Sequence, residues 1–348
     1  MDNQMTDLKN SVPRGVASLM FAACVIAALA LHTIPALLAG LLAFVLTSSL
    51  LNALRRWDPK LKLVSHTLLS SVIVGIGSLA VLAAISTLVA RLLGGENLRE
   101  FMLTLAETIT QAKQYLPDSI AAAIPDSLME MRELAAGALK EHANAVAGFG
   151  THLLHSVLLT LIGWIAGVLA AVSMAAHPKT SAQSQEAPAF YATWHRLWGQ
   201  LSLSFKNVAW AQAKIAALNS LFTGLFLLLV MPKLGWSLPY AKTLVLATFV
   251  CGLLPVLGNL MSNALICVLA LSVAFPAAVV SLVYLVVIHK VEYLLNARIQ
   301  GKEIGAATWE LLIVLFAFEL LFGPAGMVAA PVIYAFIKAE FKRAAWLS

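Results

Sequence analysis

A chain of 348 residues that is 60% hydrophobic and 11% charged, with a mean hydropathy of +0.86, is excluded from the ordinary soluble domains, in which charged residues run near about 25%. The composition predicts an all-α polytopic membrane protein with about eight membrane segments of bilayer length or half of it. The formal charge of +6 does not point to nucleic acid, because the basic residues sit in short loops between apolar runs, where they set membrane orientation.

In chain order, residues 1–93 read as N-terminal spans. The first apolar run, Val16 to Leu31, follows a weakly charged start as a signal peptide would. A second run, Ile34 to Leu54, comes almost at once, so the pair reads as a helical hairpin that stays attached. Arg55, Arg56, Lys60 and Lys62 around Asp58 place the next loop, and the N-terminus, in the cytoplasm by the positive-inside rule. A third span, His66 to Leu93, then leads outward into residues 94–150, where eight acids face four bases. Leu98, Phe101, Met102, Leu105 and Ile109, and again Leu128, Met131, Leu134 and Ala135, recur at helical spacing, with Pro117 and Pro125 between them. These predict amphipathic helices on the outer face, packed on their own spans or on another subunit.

Residues 151–190 hold a fourth span, His152 to Ala176, and a polar linker, His177 to Pro188. Gly163 and Gly167 give that span a small-xxx-small spacing that permits close helix approach. In 191–242, Trp194, Leu197, Trp198, Leu201, Phe205 and Val208 share one helical face opposite His195, Arg196, Gln200 and Lys206, which predicts a helix lying in the membrane interface. A fifth span from Lys214 to Val230 ends at Met231-Pro232; Lys233 and Lys242 after it depart from the charge rule.

Residues 243–338 read as a transport core. Pro255 and Gly258 interrupt the apolar run after Thr243, and Gly323-Pro324-Ala325-Gly326 interrupts Trp309 to Lys338. The pieces on either side hold about 12 to 16 residues where a full span needs about 20. They therefore predict two re-entrant helical hairpins with opposed entry, joined by the span Pro276 to Lys290. Helix ends at membrane depth are tolerated only in protein or against a wet cavity, where they offer free backbone groups to a substrate or ion. Residues 339–348 read as a cytoplasmic tail.

Leu253 to Asn259, Val291 to Gly305 and Leu321 to Pro331 resemble three motifs of the autoinducer-2 exporter (AI-2E) family of bacterial membrane proteins, with coverage from Tyr191 to Lys338 and a similar layout before it. The resemblance places Pro255 and Gly258 on the first motif, Glu292, Asn296, Arg298 and Gly301 on the second, and Gly323, Gly326 and Pro331 on the third. Tyr293, Ala297, Thr308 and Phe318-Glu319 depart from it. The resemblance implies export of a furanosyl-borate signalling molecule or a related small polar metabolite, sodium–proton exchange in some members, and a homo-oligomer, with a pentamer as the first expectation.

Among polar residues, Glu292 shares a helical face with Asn296 and His289; it is a site carboxylate, or it pairs with Lys290 or Arg298 at the surface. Glu319 lies in an otherwise apolar stretch, where a carboxylate costs about 2.5–3.5 kcal/mol on insertion scales unless paired, hydrated or protonated. It serves as an ion or substrate group, or as the buried partner of Arg298 or Lys290. Asn259 and Asn263, one turn apart, hold a polyhydroxylated ligand or cap a helix. His152 and His155 lack further ligands for a metal, Cys24, Cys251 and Cys267 read as buried packing residues, and no cofactor or catalytic motif for a hydrolase or nucleotide-driven pump is found. The expected function is secondary transport in a bacterial inner membrane, of a small molecule or ion among lipid, by alternating access of the C-terminal core. Na⁺/H⁺ antiport through the intramembrane glutamates and a membrane scaffold acting through the acidic outer region are the competing readings.

Overall fold

The computed structural model describes residues 2–31, 33–58, 63–92, 143–176, 188–253 and 257–344, with isolated positions 103, 113, 129–130, 133, 137 and 140–141. All regular structure among them is helical: α1 (Asp2–Ala30), α2 (Ile34–Trp57), α3 (Leu63–Leu92), α4 (Ala143–Ala176), α5 (Ala189–Leu225), α6 (Ala241–Gly252), α7 (Leu257–Leu271), α8 (Phe275–Ile304) and α9 (Thr308–Arg343). Among the described residues, five stretches are long and apolar enough to cross a membrane: Val12–Ala30, Ile34–Trp57, Leu154–Ala175, Ala189–Lys233 and Thr308–Arg343. The amphipathic helices expected in 94–150 and the linker after His177 lie outside the described residues.

The helix ends follow local chemistry. Thr33 turns α1 into α2 by donating its hydroxyl to the Ala28 carbonyl at 3.1 Å. Pro35 then enters at the first turn of α2, where its missing N–H costs nothing. Arg55 and Arg56 end α2, where basic side chains suit the helix dipole. α8 continues well past the expected Lys290 and stops at Gly305, whose φ of +66° is the left-handed conformation that commonly closes a helix.

The chain divides into two compact units: residues 1–81, 152–209 and 303–348, and residues 82–151 and 210–302. In the first, Phe21 of α1, Leu41 of α2, Leu197, Leu201, Phe205 and Val208 of α5, and Val332, Ile333 and Ala335 of α9 form one core. The rings of Trp194 and Trp198 meet Phe21 edge-on, centroids 5.6 and 5.5 Å away. The aromatic stripe expected at the membrane interface is thus a buried protein face. It meets apolar stripes on α1 and α9 rather than lipid, and α5 runs without a break into the expected fifth span. Because α9 packs on α1, α2 and the start of α5, the boundary between units falls at 302/303, inside the segment 243–338.

α2 and α4 approach as the glycine spacing predicts. A Cβ on Gly163 would overlap the Ala36 backbone, and one on Gly167 the Gly40 backbone. Both clashes are with main chain, which cannot step aside. Gly167→Ala is therefore expected to destabilise by about 1–3 kcal/mol, the usual cost of overpacking, read as a lower melting temperature in detergent. Gly199→Ala, with open space around the new methyl, is the control; equal melting of the two variants would contradict the close approach.

The second unit has its own core of Phe226, Leu227, Met231, Leu238, Leu244, Ile266, Ala270, Ala277 and Leu285, with Phe226 stacked on Tyr284 at 3.8 Å. Here α5 passes through a π-helical turn at Phe226–Val230 before Met231–Lys233. Such a turn inserts one extra residue per winding and is frequent at functional sites.

Candidate functional site

α9 has the length of a span but folds back on itself. Glu310 accepts hydrogen bonds from the Tyr334 hydroxyl and the Lys338 ammonium, both at 2.6 Å. A straight helix rises 1.5 Å per residue and would hold residues 28 positions apart at about 42 Å. The reversal is at Gly323, with φ +67° and ψ −163°, a region that only glycine occupies without strain. Gly326 completes the turn: a Cβ there would overlap the carbonyl of Phe318 and the Cβ of Phe322.

The open end of this hairpin is held by charge. Glu310 also accepts from the Ala307 backbone N–H at 3.2 Å, tying the first arm's start to the same carboxylate that holds the second arm. Beyond Lys338, Glu340 takes both oxygens to Arg196 of α5 at 2.7 and 2.8 Å, a charge-assisted pair of the strong class. Lys338 and Glu310 are 14% and 23% exposed, so the clasp is largely sheltered.

In the second unit α6 and α7 are too short to span and pack against each other. Gly258 sits so close to the Cys251 carbonyl that a Cβ would overlap it, which seals the start of α7 against the end of α6. One face of α5 holds this pair: Gln212 donates to the Gly252 carbonyl at 2.6 Å, Asn219 to the Asn259 side-chain oxygen at 2.8 Å, and Ser220 to the Val245 carbonyl at 2.8 Å. Gln212, Ala216, Asn219 and Thr223 fall at the three-to-four spacing of one helical face, and all are buried. Gly252 lies directly over Ala216.

The expected site residues therefore distribute as follows. Gly258, Asn259 and Asn263 lie on α7, Asn259 hydrogen-bonded to α5 and Asn263 half-buried. Arg298 is exposed on α8. Positions 292 and 296 belong to α8, but the side chains of Glu292 and Asn296 lie outside the described residues, as does Pro255. Gly323 and Gly326 form the α9 turn, and Glu319 stands exposed on its first arm beside exposed Phe316 and Leu320. Sequence reading missed Glu310, Tyr334, Lys338, Gln212 and Asn219. The first group had a signal: Glu310 and Lys338 each lie 14 residues from Pro324, as opposite charges at the mouth of a hairpin must. The second had one too, two amides seven residues apart on an otherwise largely apolar helix face.

Compared with known protein families, residues 16–346 match a family model described as AI-2E family transporter. Comparison with curated proteins returns no match.

Proposed function

The chain belongs to the AI-2E transporter family, and from that premise we propose that it is a secondary transporter that exports a small polar metabolite or signalling molecule of the autoinducer-2 kind by alternating access. The observation that carries this reading is the α9 reversal. An apolar segment of 36 residues that folds back at a glycine has two half-length arms, and in this reading their meeting point lies at membrane depth. Transporters use helix ends at that depth for substrate and ion. The α6–α7 pair has the same character, with Gly258, Asn259 and Asn263 on the arm that follows its break. In this reading Pro255, Glu292, Asn296, Arg298, Glu319, Gly323 and Gly326 complete the binding elements, the chain works as a homo-oligomer in a bacterial inner membrane, and both termini are cytoplasmic.

Reconstitution tests it. Proteoliposomes loaded with autoinducer-2 or related small polar metabolites and given imposed Na⁺ or H⁺ gradients should release the solute faster than protein-free vesicles. No solute flux under any gradient, together with sodium-dependent quenching of an entrapped pH dye, would replace export by Na⁺/H⁺ antiport. That second reading has one observation of its own: Glu319 projects from an apolar arm where a carboxylate is retained at a cost. Glu319→Gln is accordingly expected to keep assembly and to lose ion-coupled flux; undiminished coupled flux would make Glu319 a structural group.

A further inference from the structure

Within the first unit, α1, α2, α4 and α5 line a half-open cavity of about 590 Å³. Its walls are almost wholly apolar along Ala28, Leu37, Gly40 and Ala170, and its polar groups include Ser173 and His195, beside Trp194 and Met174. None of the residues expected to bind the transported solute lines it. Ligand cavities fall at about 300–1,000 Å³, so a space of this size with apolar walls fits an occupant with a long apolar part.

One end is basic. Arg55 of α2 donates to the Ala175 carbonyl at 3.4 Å, immediately beyond Met174 in the cavity wall. Arg56 follows it, and His195 lines the cavity on the α5 side. A guanidinium has five donors, so the bond to Ala175 leaves Arg55 most of its capacity for an anion. Basic pockets between membrane helices recognise anionic headgroups, and an apolar trunk continuing from such a pocket takes an acyl chain.

We propose that this cavity is a binding site for an anionic phospholipid, with one acyl chain lying along the α2–α4 seam on the side that faces α1 and α5, and the phosphate at Arg55 and His195. The lipid would fill the space that α1, α2, α4 and α5 leave between them and tie the unit to membranes that carry acidic lipid.

The test uses the full chain in detergent doped with phosphatidylglycerol or phosphatidylcholine of matched acyl chains, with retained lipid counted per chain by native mass spectrometry. The parent is expected to retain phosphatidylglycerol in preference. Arg55→Gln should lower that preference about fivefold, equivalent to about 1 kcal/mol for one basic residue, while leaving retention of phosphatidylcholine unchanged. Ala170→Phe, which fills the trunk, should abolish retention of both. If Ala170→Phe does not fold, phosphatidylglycerol brominated on its acyl chain decides on the parent alone, by quenching tryptophan fluorescence more strongly than brominated phosphatidylcholine. Equal retention of the two lipids by the parent, undiminished retention by a folded Ala170→Phe, equal quenching, or lipid-free oligomers in which residue-170 cysteines of two copies crosslink would each overturn the proposal.

Discussion

Gly326→Leu should open the α9 hairpin. At Gly326 even a Cβ would overlap the Phe318 carbonyl and the Phe322 Cβ. The first of these is main chain inside a turn already fixed by Gly323, so the branched side chain cannot be absorbed by a rotamer change. Overpacking a well-packed site costs about 1–3 kcal/mol and occasionally more. Opposing it are the Glu310 bonds to Tyr334 and Lys338, which hold the arms at their open end. The strain and the clasp act against each other, so the variant is expected to populate both closed and splayed arms. Spin labels at positions 312 and 336 read this directly. Neighbouring helices lie about 8–10 Å apart, whereas a straight helix would separate residues 24 positions apart by about 36 Å. The parent should show only the short distance, Gly326→Leu a second, longer one, and Gly326→Leu combined with Glu310→Ala mostly the longer one. A long distance in the parent would remove the hairpin and, with it, the main support for half-length arms at membrane depth.

Segment length marks the two breaks in the sequence. The breaks at Pro255 to Gly258 and at Gly323 to Gly326 divide apolar runs into pieces too short to cross, and a break of that kind has few folded solutions. Close approach at Gly163 and Gly167 was legible for the same reason: a missing side chain can be read locally. The stripe from Trp194 to Val208 was not. An amphipathic helix shows the same periodicity whether its apolar face meets lipid or protein, and the deciding partners, Phe21 and Val332, lie 173 positions before and 138 after Trp194. Gln212 and Asn219 were passed over because their partner groups, a backbone carbonyl at Gly252 and an amide at Asn259, carry no charge pattern. Glu310 and Lys338 become visible once the turn is treated as a mirror, since register across a hairpin follows from the position of its break.

Gln212 and Asn219 should control how firmly α6 and α7 are held. Interhelical hydrogen bonds inside membranes are worth about 0.6 kcal/mol on average, because the alternative state also finds partners. Replacing both with leucine should therefore cost only about 1 kcal/mol of global stability. The local effect is larger in kind, since both bonds hold the same pair of short helices to α5. Cys251, half-buried beside Gly252, reports it. With Cys24 and Cys267 replaced by alanine, Gln212→Leu/Asn219→Leu should raise the alkylation rate of Cys251 about fivefold, the factor that about 1 kcal/mol gives in a local opening equilibrium. Solute flux should fall while the oligomer elutes unchanged. Gln212→Glu sharpens the test through its sign. Protonated, the carboxyl still donates to the Gly252 carbonyl at the position where Gln212 does at 2.6 Å; ionised, it only accepts and repels that oxygen. The ratio of variant to parent alkylation should thus stay near one at low pH and climb as pH rises, the thiol's own ionisation cancelling in the ratio. A ratio independent of pH, with flux unaffected by the double leucine variant, would mean that α5 is only a neighbour of these helices and does not hold them.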